Sequence, residues 1–542
     1  MAQKAERKIG PFDYVIVGAG SAGCVLANRL SADADTSVLL LEAGGKDNYI
    51  WIHIPVGYLY TINNPRTDWC FKTEAQDGLN GRAIDYPRGK TLGGCSSINA
   101  MVYMRGQARD YDGWRQMGNT GWGWDDVLPY FKCSEDYAPG ADGFHGTGGE
   151  WRVENAKLSW EILDAFRDAA AEVGIPNTDD FNRGNNEGCG YFKVNQKGGV
   201  RWSTAKAFLR PAMDRPNLTV LTKAQTSRVV LEGKKAVGVK FQHDGVATRA
   251  DAKGEVILAA GAVASPQLLQ LSGIGPGDLL RSFDIPVLHE LAGVGENLHD
   301  HLQLRLIYKV SNTVTLNQQA NSLIGKIGMA INYALFRKGP LTMAPSQLGA
   351  FARSDPSRET PNLQYHIQPL SLDKFGEPLH RFPAFTASVC NLRPESRGTL
   401  RIKSPDPRAA PAIDPNYLAH ASDRQVAVDA IKLTRRICDA TPLDLFVPEE
   451  ILPGPEIQSD EDMVRAAGEI GTTVFHPVGT CRMGQDDLAV VDDRLRVRGI
   501  EGLRVIDASV MPSITSGNTN SPTIMIAEKA SDMVRQDRRG HG

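Results

Sequence analysis

Between Phe12 and Val17 the chain is a short apolar run rich in Val and Ile, followed by the small residues Gly18-Ala19-Gly20-Ser21-Ala22-Gly23. From Cys24 to Leu30 apolar positions then recur at helical spacing, and a second apolar run, Ser37 to Leu41, ends in Glu42. This pattern predicts strand, tight turn, helix and strand: a β-α-β unit in a parallel sheet, with an acidic residue at the tip of its second strand. Proline and glycine are dense from Pro55 to Gly94, which predicts extended loops. Near the C-terminus, Leu503 to Asp507 reads as another buried strand ending in a carboxylate. After Asn520-Ser521-Pro522 a helical spacing runs through Ile526 and Met533, with the proline in its favoured place just inside a helix start. In the middle of the chain, Asn362 to Ile367 and Gly398 to Ile402 alternate apolar and polar residues. That is the pattern of half-exposed antiparallel strands, so a second sheet is expected there.

Length and composition narrow the picture. A chain of 542 residues exceeds the about 250–300 residues at which a single core stops growing, so two domains are expected. A net charge of -3 and the lack of a Lys/Arg-rich run argue against nucleic acid as a partner. The eight cysteines form no C-x-x-C pair and no metal-type spacing, which fits reduced thiols, a cytoplasmic protein and no metal. The N-terminal Met-Ala-Gln-Lys-Ala-Glu-Arg-Lys lacks the apolar core of a secretory signal.

In a G-x-G-x-x-G turn the first glycine (Gly18) permits the tight turn, the second (Gly20) lets the backbone approach a pyrophosphate, and the third (Gly23) allows close packing of helix on strand. The helix N-terminus then faces the phosphates, and Glu42 stands where a carboxylate would accept hydrogen bonds from a ribose. The motif indicates a dinucleotide without separating NAD from FAD. Two longer segments, Gly89-Lys90-Thr91-Leu92-Gly93-Gly94-Cys95-Ser96-Ser97-Ile98-Asn99 and Gly261 to Gly275, resemble the two signatures of the glucose-methanol-choline oxidoreductase family. So do Asp68-Trp69, Val294 to His301, His476-Pro477-Val478-Gly479-Thr480-Cys481-Arg482-Met483-Gly484 and Asp507-Ala508-Ser509-Val510-Met511-Pro512.

The resemblance spans nearly the whole chain and implies an α/β (α+β composite) fold: a Rossmann-like FAD-binding domain from 11–155, 215–310 and 470–540, and a substrate domain on an antiparallel sheet from 156–214 and 311–469. It implies FAD contacts at Gly18, Gly20, Ser21, Ala22, Gly23, Glu42, Ala43, Trp69, Arg88, Gly93, Gly94, Asn99, Ala100, Met101, Val102, Thr226, Asp507, Ala508, Pro522 and Thr523. Some members attach FAD through a histidine at the position of Ile98, so here the flavin is expected to be non-covalent.

Taking a hydride from an alcohol requires a base with a near-neutral pKa to remove the hydroxyl proton, and histidine is the natural candidate. His476 matches the family's catalytic histidine, and Asn520 the position of its second His or Asn. An asparagine cannot take the proton, so Asn520 is expected to hold the alkoxide oxygen, and also to cap the helix that follows. Gln347 is aligned with the glutamate that faces the cation in choline-oxidising members; an amide there favours a primary aliphatic or polyol-type alcohol over choline. A quinone or other carrier is the expected acceptor, with oxygen as the alternative. Hydroxynitrile lyase and photodecarboxylase share the fold and are the rival activities. The apolar segment Leu323 to Phe336, interrupted by Lys326 and Asn332, falls short of the about 20 residues that cross a bilayer. It reads as a half-buried helix over the substrate site, with a peripheral membrane contact as the alternative.

Overall fold

The apolar run at Phe12–Val17 is the inner half of a longer strand. In the computed structural model, which describes residues 6–373 and 377–540, the strands used below are, in chain order, β1 (Arg7–Val17), β2 (Val38–Leu41), β3 (Gly188–Tyr191), β4 (Leu218–Leu221), β5 (Ala224–Glu232), β6 (Lys235–His243), β7 (Val246–Leu258), β8 (Leu302–Lys309), β9 (Leu348–Ala352), β10 (Leu363–Gln368), β11 (Ala384–Asn391), β12 (Glu449–Leu452), β13 (Gly471–Thr473) and β14 (Leu503–Val505). The helices are α1 (Ser21–Leu30), α2 (Gly261–Leu271), α3 (Leu323–Phe336), α4 (Ala421–Cys438) and α5 (Asn520–Gly540).

The first sheet has the order β4-β2-β1-β7-β6-β5, with β14 also pairing with β7. Its centre is parallel, with Val15 opposite Leu39 and Val256, and all four residues of β2 are buried, as befits strands covered on both faces. The expectation of a wholly parallel sheet needs correction, because β5, β6 and β7 form an antiparallel meander on one side. Short connections, such as that between Glu232 and Lys235, permit only antiparallel neighbours.

The second sheet, β12-β8-β11-β10-β9-β3 with β13 on β8, is antiparallel throughout. Strands β8 and β13, which limits at 310 and 470 group with the first domain, pair within this sheet. Strand β10 is also not half-exposed: all six of its residues are buried. Leu363, Tyr365 and Ile367 pack into a core with residues of α4 such as Ile431, while Gln364, His366 and Gln368 face inward toward the other domain. The alternation is genuine, but on its polar side His366 and Gln368 meet a cavity and Gln364 meets Asn518, rather than solvent. The Gly398–Ile402 segment contributes Thr399–Arg401 to a separate two-stranded sheet.

Helix α3 is more exposed than expected. Of its residues only Tyr333 is buried. Among the described residues no helix is long and apolar enough to cross a membrane.

Candidate functional site

Gly18 closes β1 with a φ of 102°, and a Cβ there would lie 2.5 Å from the Ala259 carbonyl oxygen. One helical turn later a Cβ on Gly23 would lie 1.8 Å from the Gly18 carbonyl oxygen, so only glycine lets α1 start this close to the strand. The α1 N-terminus carries no acidic residue in its first turn and no side-chain cap. Its free N–H groups form an anion-binding end at the wall of a cavity with about 2020 Å³ of empty space, its open mouth included. At the tip of β2, Glu42 accepts from the Ala19 N–H at 3.0 Å and the Gly44 N–H at 2.7 Å. Burial nevertheless pushes its carboxyl up to about 7.

The cavity runs from Gly18, Gly20, Ser21, Ala22, Glu42 and Ala43 past Trp69, Arg88, Gly94, Asn99, Ala100, Met101, Val102 and Thr226 to His476, Asp507, Ala508, Asn520 and Thr523. Gly23, Gly93, Pro522 and Gln347 stand outside its lining. Gly93 instead supplies a turn, donating its N–H to the Ala19 carbonyl at 2.8 Å, and near Gln347 it is Pro345 and Ser346 that line the cavity. Gln303 and Gln368, from the second sheet, are in the lining where Gln347 is not. Asp507 is held by the Gly261 N–H at 2.9 Å, the Ser265 hydroxyl at 2.5 Å and the Ser509 hydroxyl at 2.6 Å.

FAD fits these residues on three counts. The turn presents an open backbone face at Gly20, where a Cβ would meet only the Ala259 oxygen at 3.9 Å. The α1 N-terminus suits a pyrophosphate. Thr226 Oγ1 and Asn520 Nδ2 are buried and without partners on the wall of the same cavity, the state expected of groups that a ligand satisfies.

The His476 end of the cavity is organised by a chain of directed hydrogen bonds. His301 Nε2 lies 3.2 Å from the Leu392 carbonyl oxygen, which can only accept, so Nε2 carries the proton and His301 Nδ1 is an acceptor. That nitrogen lies 3.1 Å from His476 Nδ1, which must therefore donate. His476 Nε2 is left unprotonated and accepts from Asn518 Nδ2 at 3.0 Å, while Asn518 Oδ1 accepts from Gln364 at 3.2 Å. Burial, reinforced by His301 and His366, holds His476 well below the usual histidine range, and burial pushes His301 down to about 4. Both rings are neutral at neutral pH.

Asn520 is not the residue hydrogen-bonded to this histidine. It is the first residue of α5, and its Oδ1 accepts from the Ser21 hydroxyl at 2.6 Å, tying α5 to the glycine turn. The partner of His476 is Asn518, two residues earlier in the segment before the helix. Other contributors were missed as well. Asp300 Oδ1 accepts from the backbone N–H of His301 at 2.9 Å and of His476 at 2.8 Å, and Oδ2 from Tyr417 at 2.5 Å and Thr473 at 2.6 Å. The His299-Asp300-His301 trio, at the end of the Val294–His301 segment, was the available signal. Among the described residues no group of side chains could hold a metal. His366, with both ring nitrogens unpartnered, completes the wall with Gln303, Ser346 and Gln368.

Comparison with known proteins places this geometry in context. The N-terminal model of the GMC oxidoreductase family matches residues 12–303 and the C-terminal model residues 394–527. The alcohol dehydrogenase (acceptor) of Pseudomonas putida is 44% identical over 530 residues, covering 96% of this chain and 95% of that protein. An oxygen-dependent choline dehydrogenase of Chromohalobacter salexigens is 43% identical over 531 residues, covering 97% and 95%. Among solved structures, pyridoxine 4-oxidase from Mesorbium loti matches with a TM-score of 0.88 at 33% identity, over 97% of this chain and 99% of that one.

Proposed function

The chain belongs to the GMC oxidoreductase family, and from that footing we propose that it uses FAD to oxidise a primary, neutral alcohol to the aldehyde, with His476 as the base. The observation that carries this reading is the unprotonated Nε2 of His476, fixed by the chain through His301 to the Leu392 carbonyl on the wall of the cavity that fits the cofactor. FAD bound along that cavity supplies the two-electron sink that takes the hydride from the alcohol carbon. The chain's own residues manage the proton. An alcohol hydroxyl entering between His476 and Asn518 gives its proton to Nε2, while Asn518 Nδ2, now released from the ring, donates to the alkoxide oxygen. His301, neutral and an acceptor, keeps the proton on His476 Nδ1 in place and so keeps the basic nitrogen facing substrate. Gln303, Ser346, His366 and Gln368 supply uncharged polar contacts to the remainder of the substrate.

A neutral alcohol is favoured over a quaternary ammonium one because Glu42 and Asp507 are the only carboxylates in the lining. Glu42 lies at the glycine turn, and Asp507 is committed to Gly261, Ser265 and Ser509. A cation would thus be desolvated with no counter-charge. Reoxidation is assigned to a quinone or another carrier, in keeping with the acceptor-named relative. The aliphatic Ile98 on the cavity wall supports a non-covalent cofactor.

The test is anaerobic mixing of the purified holoprotein with a panel of primary alcohols and choline, following the visible flavin absorbance. Aliphatic alcohols are expected to bleach it faster than choline, and His476→Ala to slow bleaching by about 10²–10⁴-fold while staying yellow. Readmitted air is expected to restore the colour slowly, and acid precipitation to release it into the supernatant. Failure of every alcohol to bleach the flavin would overturn the proposal.

A further inference from the structure

Helix α3 has the composition of a core helix and the position of a surface one. Leu323, Ile324, Ile327, Ile331, Leu335 and Phe336 are 75%, 83%, 52%, 53%, 69% and 65% exposed. The helix is held to the body through the Tyr333 hydroxyl, which donates to the Gly199 carbonyl at 3.2 Å, and its start is capped by Ser322 Oγ, which accepts from the Gly325 N–H at 3.2 Å. Its fold is therefore fixed while its apolar face is uncovered. Contiguous apolar surface of this kind marks an interaction site, whereas single exposed apolar residues do not.

Charge selects the partner. Between Asp300 and Asp355 the chain contains no Asp or Glu, while Lys326, Arg337 and Lys338 lie in or directly after the helix and are exposed. An exposed apolar helix whose own stretch of chain carries cations and no carboxylate has the pattern of a helix that lies in the headgroup region of an anionic membrane. At 14 residues α3 is about 21 Å long, too short to span but suited to lying flat. The chain continues from α3 through Pro340–Thr342 to Pro345 and Ser346, which line the substrate cavity, so a surface bound to α3 is close along the chain to that wall.

We propose that α3 is an interfacial anchor that docks the enzyme on anionic phospholipid, its apolar face buried among the lipid chains and Lys326, Arg337 and Lys338 at the headgroups. The inference does not depend on the alcohol reading. The experiment sediments the yellow holoprotein with vesicles of phosphatidylcholine alone and of phosphatidylcholine mixed with phosphatidylglycerol, at low and high salt. The protein is expected to pellet with the anionic vesicles, less with the neutral ones, and less at high salt. The double variant Ile324→Glu/Ile331→Glu, altered only at exposed positions, is expected to bind at least about tenfold more weakly and to retain its flavin and its bleaching by soluble alcohol. The proposal is overturned if the wild type stays in the supernatant with anionic vesicles or if the variant pellets equally well. It is also overturned if light scattering shows that the substitutions dissociate a dimer that itself never binds vesicles, since a second copy would then be what covers the face.

Discussion

His476 holds its proton on Nδ1 because the carbonyl of Leu392 can only accept, and the two rings between that carbonyl and Asn518 must then point the same way. The direction of one backbone group thus settles which nitrogen of His476 is free to take a proton. Asn518 and Asn520 separate the chemistry from the scaffold. Asn518→Ala removes the donor proposed for the reacting oxygen and is expected to lower the rate of flavin bleaching by about 10²-fold with the flavin retained. Asn520→Ala removes the acceptor of the Ser21 hydroxyl and is expected to cost about 1 kcal/mol in denaturant melts while leaving that rate within a few-fold of wild type. Equal effects on rate would show that the two had been wrongly distinguished. The segment around these asparagines was legible in the sequence; which of the two meets the histidine was not, because that depends on where α5 begins. Glu42 carries a second residue-scale prediction. Burial raises its carboxyl from 4.5 to about 7, so in flavin-free protein its contribution to stability is fully present below pH 4.5 and is lost as pH rises through about 7. The loss amounts to about 3 kcal/mol, and Glu42→Gln is expected to flatten that part of the stability-pH curve in urea melts.

Elements bring these residues together through a few junctions. The β-α-β unit was readable from its glycines because steric exclusion at Gly18 and Gly23 is local. Strand β10 was readable as a strand but misread in burial: Gln364, His366 and Gln368 look like a solvent face until a second layer is known to lie across from them. No local pattern distinguishes a polar cavity wall from a wet surface. Asp300 is the junction between the start of β8 and the loop bearing His476, accepting four hydrogen bonds with a carboxylate that burial pushes up and the Thr473 and Tyr417 hydroxyls pull down. Asp300→Asn replaces one acceptor oxygen by a donor facing donors, and is expected to cost about 2–3 kcal/mol. It should also slow bleaching by at least about tenfold, because His476 is no longer held in place. An unchanged bleaching rate in a destabilised variant would limit Asp300 to a structural role.

At the scale of the molecule, the two sheets enclose the cavity between them, and the sequence disclosed both, as a β-α-β unit at one end and alternating strands in the middle. What it obscured was the ownership of β8 and β13, which follow directly on first-domain segments yet pair in the second sheet. Hydrogen-bonded partners far apart in sequence leave no trace in the local pattern. The first sheet is likewise assembled from both ends of the chain: β1 pairs with β7, and β7 with β14, while α5 packs on α1. A chain stopped after Ile470 would lack β13, His476, β14 and α5, and is expected to retain no flavin colour on gel filtration.

That assembly orders events during synthesis. Asn520, the partner of Ser21, is made 499 residues after it, so the glycine turn waits for α5 through the synthesis of most of the cavity. The wall that these two residues close is complete only once Asn520 has emerged, and a chain stalled before that point should take up no flavin.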